Sequence, residues 1–316
     1  MSIDNKEIKI IFMGSANFSV PILKELIDNF TVVGLVTEKD RPIGRGQKVS
    51  ILPTKVMALE HNIPVYQPET LKNNIDLLNE LKKINADLVV VAAYGKILPT
   101  EFLNLTVNGC VNVHPSLLPK YRGASPIQSA LLNSEKVTGC SIILMDEGMD
   151  SGDILVQNEL LIDPAWGYVK LAQELSLLGA SQVKEIVPLY IHGVLDLEIQ
   201  DDEGATFCYK VEKEDGLLVW SRPVKKIIGQ IKAFETWPGC YTFYNKKKLD
   251  IVEAIPAEII IEKPQIGKVV KVGKRFFVSC GYGAIELIQV KYEGGNVLNI
   301  KDFANGHQSF AEAILG

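Results

Sequence analysis

The chain has 316 residues, of which 47% are hydrophobic and 22% charged, with a formal net charge of −5. This length favours two domains, and the composition is that of a globular protein able to bury a core. We expect neither a signal peptide nor a membrane span, because the first residues hold no long apolar stretch and no apolar run approaches ~18 residues. Five widely spaced cysteines without a C-x-x-C pair argue against zinc and disulfides and suit the cytoplasm.

The charges are unevenly distributed along the chain. Residues 1–207 contain 17 basic and 26 acidic side chains, whereas residues 208–316 contain 16 and 12. A basic C-terminal part suits contact with a polyanion such as RNA, although chance variation in surface charge explains the same counts.

Apolar strands and amphipathic helices alternate over the first two thirds of the chain. The spacing predicts strands at 8–14, 32–37, 65–67, 87–95, 110–114 and 138–146, and helices at 21–30, 54–62, 73–86, 125–135 and 168–193. This rhythm predicts an α/β fold with a doubly wound, Rossmann-like, mostly parallel sheet. A single glycine, Gly14, follows the first strand where a dinucleotide site would need G-x-G-x-x-G, which argues against an NAD enzyme.

The alternation of strands and helices ends at an acidic stretch, 194–207, which we interpret as a linker. Short strand-like runs separated by turn signals follow it at 242–254, 266–281 and 284–294. They predict a small antiparallel β-barrel of OB-like type. The expected organisation is therefore an N-terminal domain over 1–193, a linker over 194–207 and a C-terminal domain over 208–316.

The stretch NVHPSLLPKYRG, 112–123, places polar side chains at the end of a predicted buried strand. Open α/β sheets bind ligands outside the carboxyl ends of their strands. Asn112 and His114 are two residues apart, so both side chains project to the same side of the strand. An amide that donates to a developing oxyanion, beside an imidazole that transfers protons, suits acyl-type chemistry. The alternative is a histidine that packs or caps locally.

The stretch LMDEGMDSGDIL, 144–155, follows the next predicted strand and carries four carboxylates, those of Asp146, Glu147, Asp150 and Asp153. Such a cluster could hold a cation, but it lacks the longer fixed pattern of a calcium loop. A single carboxylate that orients His114 and sets its protonation is the more economical interpretation.

These two stretches resemble the folate-dependent formyltransferases. Within that family, YRGASPIQ (121–128), DRPIGRGQK (40–48), AFETWPGCYT (233–242) and FANGH (303–307) are similar to the branch that acts on methionyl-tRNA. The resemblance extends over nearly the whole chain.

The resemblance implies that Asn112, His114 and Asp150 are catalytic and that formyl transfer from 10-formyltetrahydrofolate needs no metal. It also implies that the folate site is lined by Ser116, Leu117, Leu118 and Pro119, with Ile97 and Leu98 from AYGKILP (93–99). We also expect a monomer that contacts no membrane.

The connection 37–50 is long for a loop between a strand and a helix, and it carries a charge of +2 in an acidic domain. A solvated surface loop is one interpretation. The resemblance implies instead that it contacts the acceptor arm of initiator tRNA through Arg41, Arg45 and Lys48, with Lys210 adding phosphate contacts.

Three alternatives remain open from the sequence. A formyltransferase of sugar nucleotides or other small amines would share the catalytic residues, but would need neither the basic connection nor a basic C-terminal domain. A catalytically silent RNA-binding protein would not need Asn112, His114 and Asp150 together. A thiol enzyme using Cys110 is disfavoured, because this residue lies inside a strand with no activating cation in view.

Overall fold

The computed structural model describes residues 5–43, 48–259 and 265–316, and the chain divides into two compact units. The first unit comprises residues 1–126, 137–161 and 172–208, and the second comprises 127–136, 162–171 and 209–316. Residues 194–207, which the sequence suggests as a linker, are grouped with the first unit. The division into 1–193, 194–207 and 208–316 stays a prediction.

The first unit contains a seven-stranded sheet with helices formed by the intervening segments. Its sheet order is β10-β9-β7-β6-β1-β2-β5. The strands up to residue 208 are β1 Lys9–Gly14, β2 Thr31–Val36, β3 Arg41–Ile43, β4 Lys48–Ser50, β5 Val65–Tyr66, β6 Leu88–Ala92, β7 Cys110–His114, β8 Arg122–Gly123, β9 Val137–Leu144, β10 Ile154–Leu161 and β11 Phe207–Cys208. The helices that begin before residue 208 are α1 Ser19–Asn29, α2 Pro53–Glu60, α3 Ile75–Lys83, α4 Thr100–Leu103, α5 Pro126–Leu132 and α6 Tyr168–Ile191.

Five strands of this sheet, β1, β2, β5, β6 and β7, pair in parallel. Every residue of β6 is buried, as in a strand covered on both faces, which explains its uninterrupted apolar sequence. The sequence analysis predicts no strand at β10, which forms the antiparallel edge of the sheet with β9, because four of its eight residues are exposed. Such a strand lacks the continuous apolar run that identifies β6.

The second unit contains a separate antiparallel sheet with the order β12-β13-β16-β15-β14, in which β17 also pairs with β16. Its strands are β12 Cys240–Tyr244, β13 Lys247–Pro256, β14 Val269–Val272, β15 Arg275–Ser279, β16 Ala284–Tyr292 and β17 Val297–Asn299, and its helices after residue 208 are α7 Val224–Ala233 and α8 Ile300–Gly306. The rings of Tyr244, Phe303 and Phe310 pack edge to face in its core. The predicted fold class is confirmed.

The structure also bears on two smaller expectations. The connection 37–50 contains two short strands, β3 and β4, which pair antiparallel with Ile43 opposite Lys48. Within the described part of the chain, no helix combines the length and apolar character that crossing a bilayer requires.

Candidate active site

Strand β7 brings Asn112 and His114 to the same side of the sheet. The strand lies between β6 and β9, with Asn112 opposite both Val91 and Ile143. Both side chains approach the carboxylate of Asp150, so the two-residue spacing acts as the sequence predicts.

The carboxylate of Asp150 is the centre of this cluster. Its Oδ1 accepts a hydrogen bond from Asn112 Nδ2 at 3.2 Å, and its Oδ2 accepts one from the main-chain N–H of Gly123 at 2.8 Å. The same Oδ2 lies 3.6 Å from His114 Nδ1. Asp150 has a φ of 51°, in the left-handed region that aspartate tolerates better than most residues. This backbone conformation belongs to the glycine-rich turn that follows β9.

The orientation of His114 identifies its basic nitrogen. Its Nε2 lies 2.9 Å from the carbonyl oxygen of Tyr121. Because a carbonyl can only accept, Nε2 carries a proton, and in the neutral ring Nδ1 is the nitrogen that can take one up. This Nδ1 is the atom that lies next to Asp150. The imidazole is only 4% exposed, so protons reach it through its neighbours rather than directly from bulk water.

The neighbouring carboxylates are engaged elsewhere. Asp146 accepts hydrogen bonds from Gly148 N and Ser151 Oγ, both at 2.9 Å, and Glu147 Oε1 accepts one from Thr100 Oγ1 at 2.7 Å. Among the described residues, no three His, Cys, Asp or Glu side chains come together as metal ligands would. Of the two interpretations of this turn, the geometry therefore favours a carboxylate partner for His114.

A pocket of about 160 Å³ lies beside this cluster. Two of the predicted folate residues, Ile97 and Leu98, line it together with Asp150. The remaining lining residues are Lys96, Ile143, Met145, Asp146, Glu147, Gly148 and Met149. Apolar walls with carboxylates at the edge suit a flat heteroaromatic ring whose N–H groups donate hydrogen bonds.

The residues Ser116–Pro119 lead into a turn next to this pocket, in which the Lys120 N–H donates to the Leu117 carbonyl at 3.1 Å. Ser116 is fully buried and donates to the carbonyl of Lys120 at 2.7 Å. Leu118 packs with Ile143, which lines the pocket, and with Ile154. These contacts hold the turn in place. Direct contact of Ser116, Leu117, Leu118 and Pro119 with folate stays a prediction.

The structure describes three of the four cationic residues that are predicted to contact RNA. The main chains of Arg41 and Lys48 lie in β3 and β4, Arg45 lies outside the described residues, and Lys210 is exposed on the second unit. The base of the hairpin is held by Asp40, which forms an ion pair with Lys55 and accepts a hydrogen bond from Leu52 N at 3.3 Å.

Two contributors to the site carry no signal in the sequence. Gly123 and Tyr121 act through their main chains, and any residue type supplies an N–H donor or a carbonyl acceptor. Only the fold shows which peptide groups reach Asp150 and His114.

The thiol of Cys110 is fully buried and donates to the carbonyl of Phe102, and burial raises its pKa to about 12. A thiolate nucleophile is therefore disfavoured at this position.

The fold and the site together define an α/β protein with a histidine–carboxylate–amide cluster at the carboxyl ends of the parallel strands of its sheet. Models of the formyl transferase family match residues 7–185 (formyl transferase) and 210–308 (formyl transferase, C-terminal domain).

Two relatives that are similar over nearly full length are named methionyl-tRNA formyltransferases. A methionyl-tRNA formyltransferase of Caldanaerobacter subterraneus is 42% identical over 97% of this chain and 99% of the relative. One of Geobacter sulfurreducens is 38% identical over 98% and 97% of the two chains. The chain belongs to the methionyl-tRNA formyltransferase family, within the formyl transferases.

Solved structures share the fold at lower identity. An N-formyltransferase of Helicobacter canadensis, in complex with folinic acid and dTDP-3-aminofucose, is 19% identical, with a TM-score of 0.67 over 89% of this chain and 98% of the other. A sugar 3N-formyl transferase, in the presence of dTDP and 5-N-formyl-THF, is 20% identical, with a TM-score of 0.66 over 89% and 97%. HypX of Aquifex aeolicus, in complex with tetrahydrofolic acid, is 16% identical, with a TM-score of 0.63 over 95% of this chain and 47% of the other.

Proposed function

We propose that this chain transfers the formyl group of 10-formyltetrahydrofolate to the α-amino group of methionine on initiator methionyl-tRNA, the reaction that supplies formylated initiator for translation. The observation that carries the proposal is the position of Asp150. Its carboxylate binds Asn112, lies next to His114 and forms part of the wall of an apolar-lined pocket.

The pocket next to Asp150 is the proposed site of the folate ring. Ile97, Leu98 and Met149 supply apolar surface, while Asp146 and Glu147 can accept hydrogen bonds from ring N–H groups. The turn Ser116–Pro119 would complete the site. The formyl carbon would then lie near the carboxylate of Asp150.

The chemistry requires a neutral amine, an oxyanion donor and a proton acceptor. The methionyl amine attacks the formyl carbon, and the carbonyl oxygen of the formyl group becomes negatively charged. Asn112 Nδ2 has a second N–H beyond the one bound to Asp150, and this N–H can donate to the oxyanion. Asp150 takes the proton from the attacking amine, directly or through water, and shares it with His114 Nδ1. The proton returns to the folate nitrogen as the carbon–nitrogen bond to the leaving group breaks.

The position of Asp150 refines the role of His114. Asp150 lines the pocket, whereas His114 is buried next to this carboxylate and does not belong to the residues that line the pocket. We propose that the imidazole exchanges protons with the substrate through Asp150, because its Nδ1 lies 3.6 Å from Asp150 Oδ2. Its fixed Nε2 contact to Tyr121 keeps Nδ1 available for this exchange.

The tRNA would be held by cations outside this pocket. Arg41, Arg45 and Lys48 are proposed to reach the acceptor arm, and Lys210 to contact phosphate. A cytoplasmic location, a monomeric state and metal-independent catalysis remain part of the proposal.

Product analysis across three acceptors tests this function. Purified protein is supplied with 10-formyltetrahydrofolate and either initiator methionyl-tRNA, free methionine or an amino sugar nucleotide. We expect formylation of the charged tRNA alone at physiological concentrations. A higher kcat/KM for the amino sugar nucleotide would instead support the small-amine formyltransferase, and no transfer to any acceptor would exclude both.

A further inference from the structure

A buried glutamine holds the main chain that directly follows the Asp150 side chain. Gln200 is 8% exposed, and its Nε2 donates to the carbonyl oxygen of Asp150 at 2.9 Å and to that of Gly152 at 2.6 Å. Asp150 adopts its left-handed conformation directly before these contacts. A non-glycine residue in this region costs free energy, which the surrounding contacts must offset.

A buried arginine fixes the orientation of this amide. Arg122, which is 5% exposed, donates from Nε to Gln200 Oε1 at 3.0 Å and from a terminal nitrogen to Asp202 Oδ1 at 2.8 Å. Because a guanidinium only donates, it turns the amide oxygen of Gln200 toward itself and the amide nitrogen toward the two carbonyls. Neither residue carried a role in the sequence analysis.

The segment that follows Gln200, residues 206–208, binds the main chain of the other peptide groups of the site. Thr206 accepts the N–H of Arg122 at 2.8 Å through its main-chain carbonyl and that of Tyr121 at 2.8 Å through its hydroxyl. The pairing of β11 with β8 continues this contact to Gly123. The Tyr121 carbonyl and the Gly123 N–H are the groups that bind His114 and Asp150.

We infer that Gln200, oriented by Arg122, is a positioning residue that sets where the Asp150 carboxylate lies relative to His114 and Asn112. The inference rests on the proposed function. It means that the segment 200–208 fixes the position of the catalytic carboxylate of Asp150. Gln200 touches no substrate in this account, and it acts through the backbone of Asp150. A displacement of a catalytic group by about 1 Å can lower turnover on the order of 10²-fold.

The test variant is Gln200→Glu in the full-length chain. The substitution keeps the shape and an acceptor for Arg122, but a carboxylate cannot donate to the two carbonyls. We expect kcat for formylation of initiator methionyl-tRNA to fall by about 10-fold to 10²-fold, with little change in KM for the formyl folate. The pH profile of kcat should also change, because Asp150 and His114 exchange protons and the charged groups of Arg122 and Asp202 lie close to the substituted residue.

Gln182→Glu is the matched control. Gln182 is 4% exposed in the same unit and donates to the Cys140 carbonyl at 3.0 Å and to Asn158 Oδ1 at 2.8 Å, neither of which belongs to the site. The control should lower the melting temperature at least as much as Gln200→Glu and leave the pH profile of kcat unchanged. Gln200→Met, which keeps the volume without introducing a charge, should also lower kcat.

The outcomes separate the two proposals. Wild-type protein that fails to formylate charged tRNA would contradict the proposed function. An active wild type together with Gln200→Glu and Gln200→Met variants that keep its kcat and pH profile would overturn the positioning role. Equal losses of kcat in the Gln182→Glu control would overturn it as well, because they would trace the effect to general destabilisation. If Gln200→Glu does not fold, the comparison of Gln200→Met with wild type decides.

Discussion

Asn112 and His114 make different contacts with one carboxylate, and the loss of either side chain should affect chemistry more than binding. We expect Asn112→Ala and His114→Ala to lower kcat by at least about 10²-fold, as the loss of an oxyanion donor or a proton acceptor does. Steady-state formylation at saturating substrates measures this, with folate binding by fluorescence as the control for an intact pocket. Turnover close to wild type in either variant would remove that residue from the mechanism.

Asp150→Asn tests the carboxylate with almost no change in size. An amide at this position cannot share a proton with His114, and its NH₂ group would meet other donors, from Asn112 and from Gly123. We expect activity to collapse and the residual pH–rate profile to lose the shape of the wild type. A variant with full activity and an unchanged profile would mean that another carboxylate of the 144–155 turn is the partner of His114.

At the scale of the element, the base of the β3–β4 hairpin is fixed by one charge. Lys55, the Leu52 N–H and Gln67 together hold the pKa of Asp40 below its usual range. A carboxyl whose pKa is lower in the folded state stabilises that state above its unfolded pKa, and this stabilisation is lost as the pH falls through the folded value. Asp40→Asn should therefore lower the melting temperature at pH 7 by roughly 2 °C or more, with a difference that shrinks below about pH 4.

The control for that measurement is Asp28→Asn. Asp28 pairs with Lys24 on the exposed surface of α1, and such pairs contribute little to stability. A melting temperature that changes equally in both variants would show that the Asp40 network does not anchor the hairpin.

The hairpin is expected to contact the tRNA and to make no contact with the folate. Arg41→Ala and Arg45→Ala should each lower kcat/KM for charged tRNA by about 10-fold while folate affinity stays unchanged, since each removed cation contributes phosphate or base contacts. Lys72→Ala, which removes an exposed cation elsewhere in the first unit, is the control and should act like wild type. If the three variants retain equal tRNA-dependent rates, the hairpin is a solvated surface element.

At the scale of the whole molecule, the uneven charge distribution predicts strong salt dependence. A chain that contacts about four phosphates should lose about 10²-fold in tRNA affinity between 50 and 200 mM salt. Filter binding of initiator tRNA across this range measures how steeply the logarithm of the affinity falls with the logarithm of the salt concentration. Lys210→Ala should reduce this slope by about 1, the value expected for one lost phosphate contact. Affinity independent of salt would contradict contact between the basic side chains and the phosphate backbone.

The sequence by itself determined the alternation of strands and helices, the exact bounds of β7 at 110–114 and the pair of Asn112 and His114 at its end. These features are local, because buried strands show as apolar runs and a two-residue spacing places side chains on one side. The resemblance carried by the motifs supplied the family. It did so because a proline-rich turn followed by a glycine-rich turn is a specific combination of motifs.

The residue pattern alone left open which carboxylate of the 144–155 turn meets His114, although the resemblance implied Asp150. The tertiary structure places Asp150 beside His114 and brings Gln200, from the acidic stretch, to the backbone of the same turn. Four carboxylates on one turn are equivalent in sequence, and the fold alone brings the Asp150 carboxylate to Asn112 and Gly123. The role inferred for Gln200 depends on hydrogen bonds to carbonyls 48 and 50 residues earlier in the chain. Residue type and spacing cannot encode such contacts, because any peptide carbonyl can accept them.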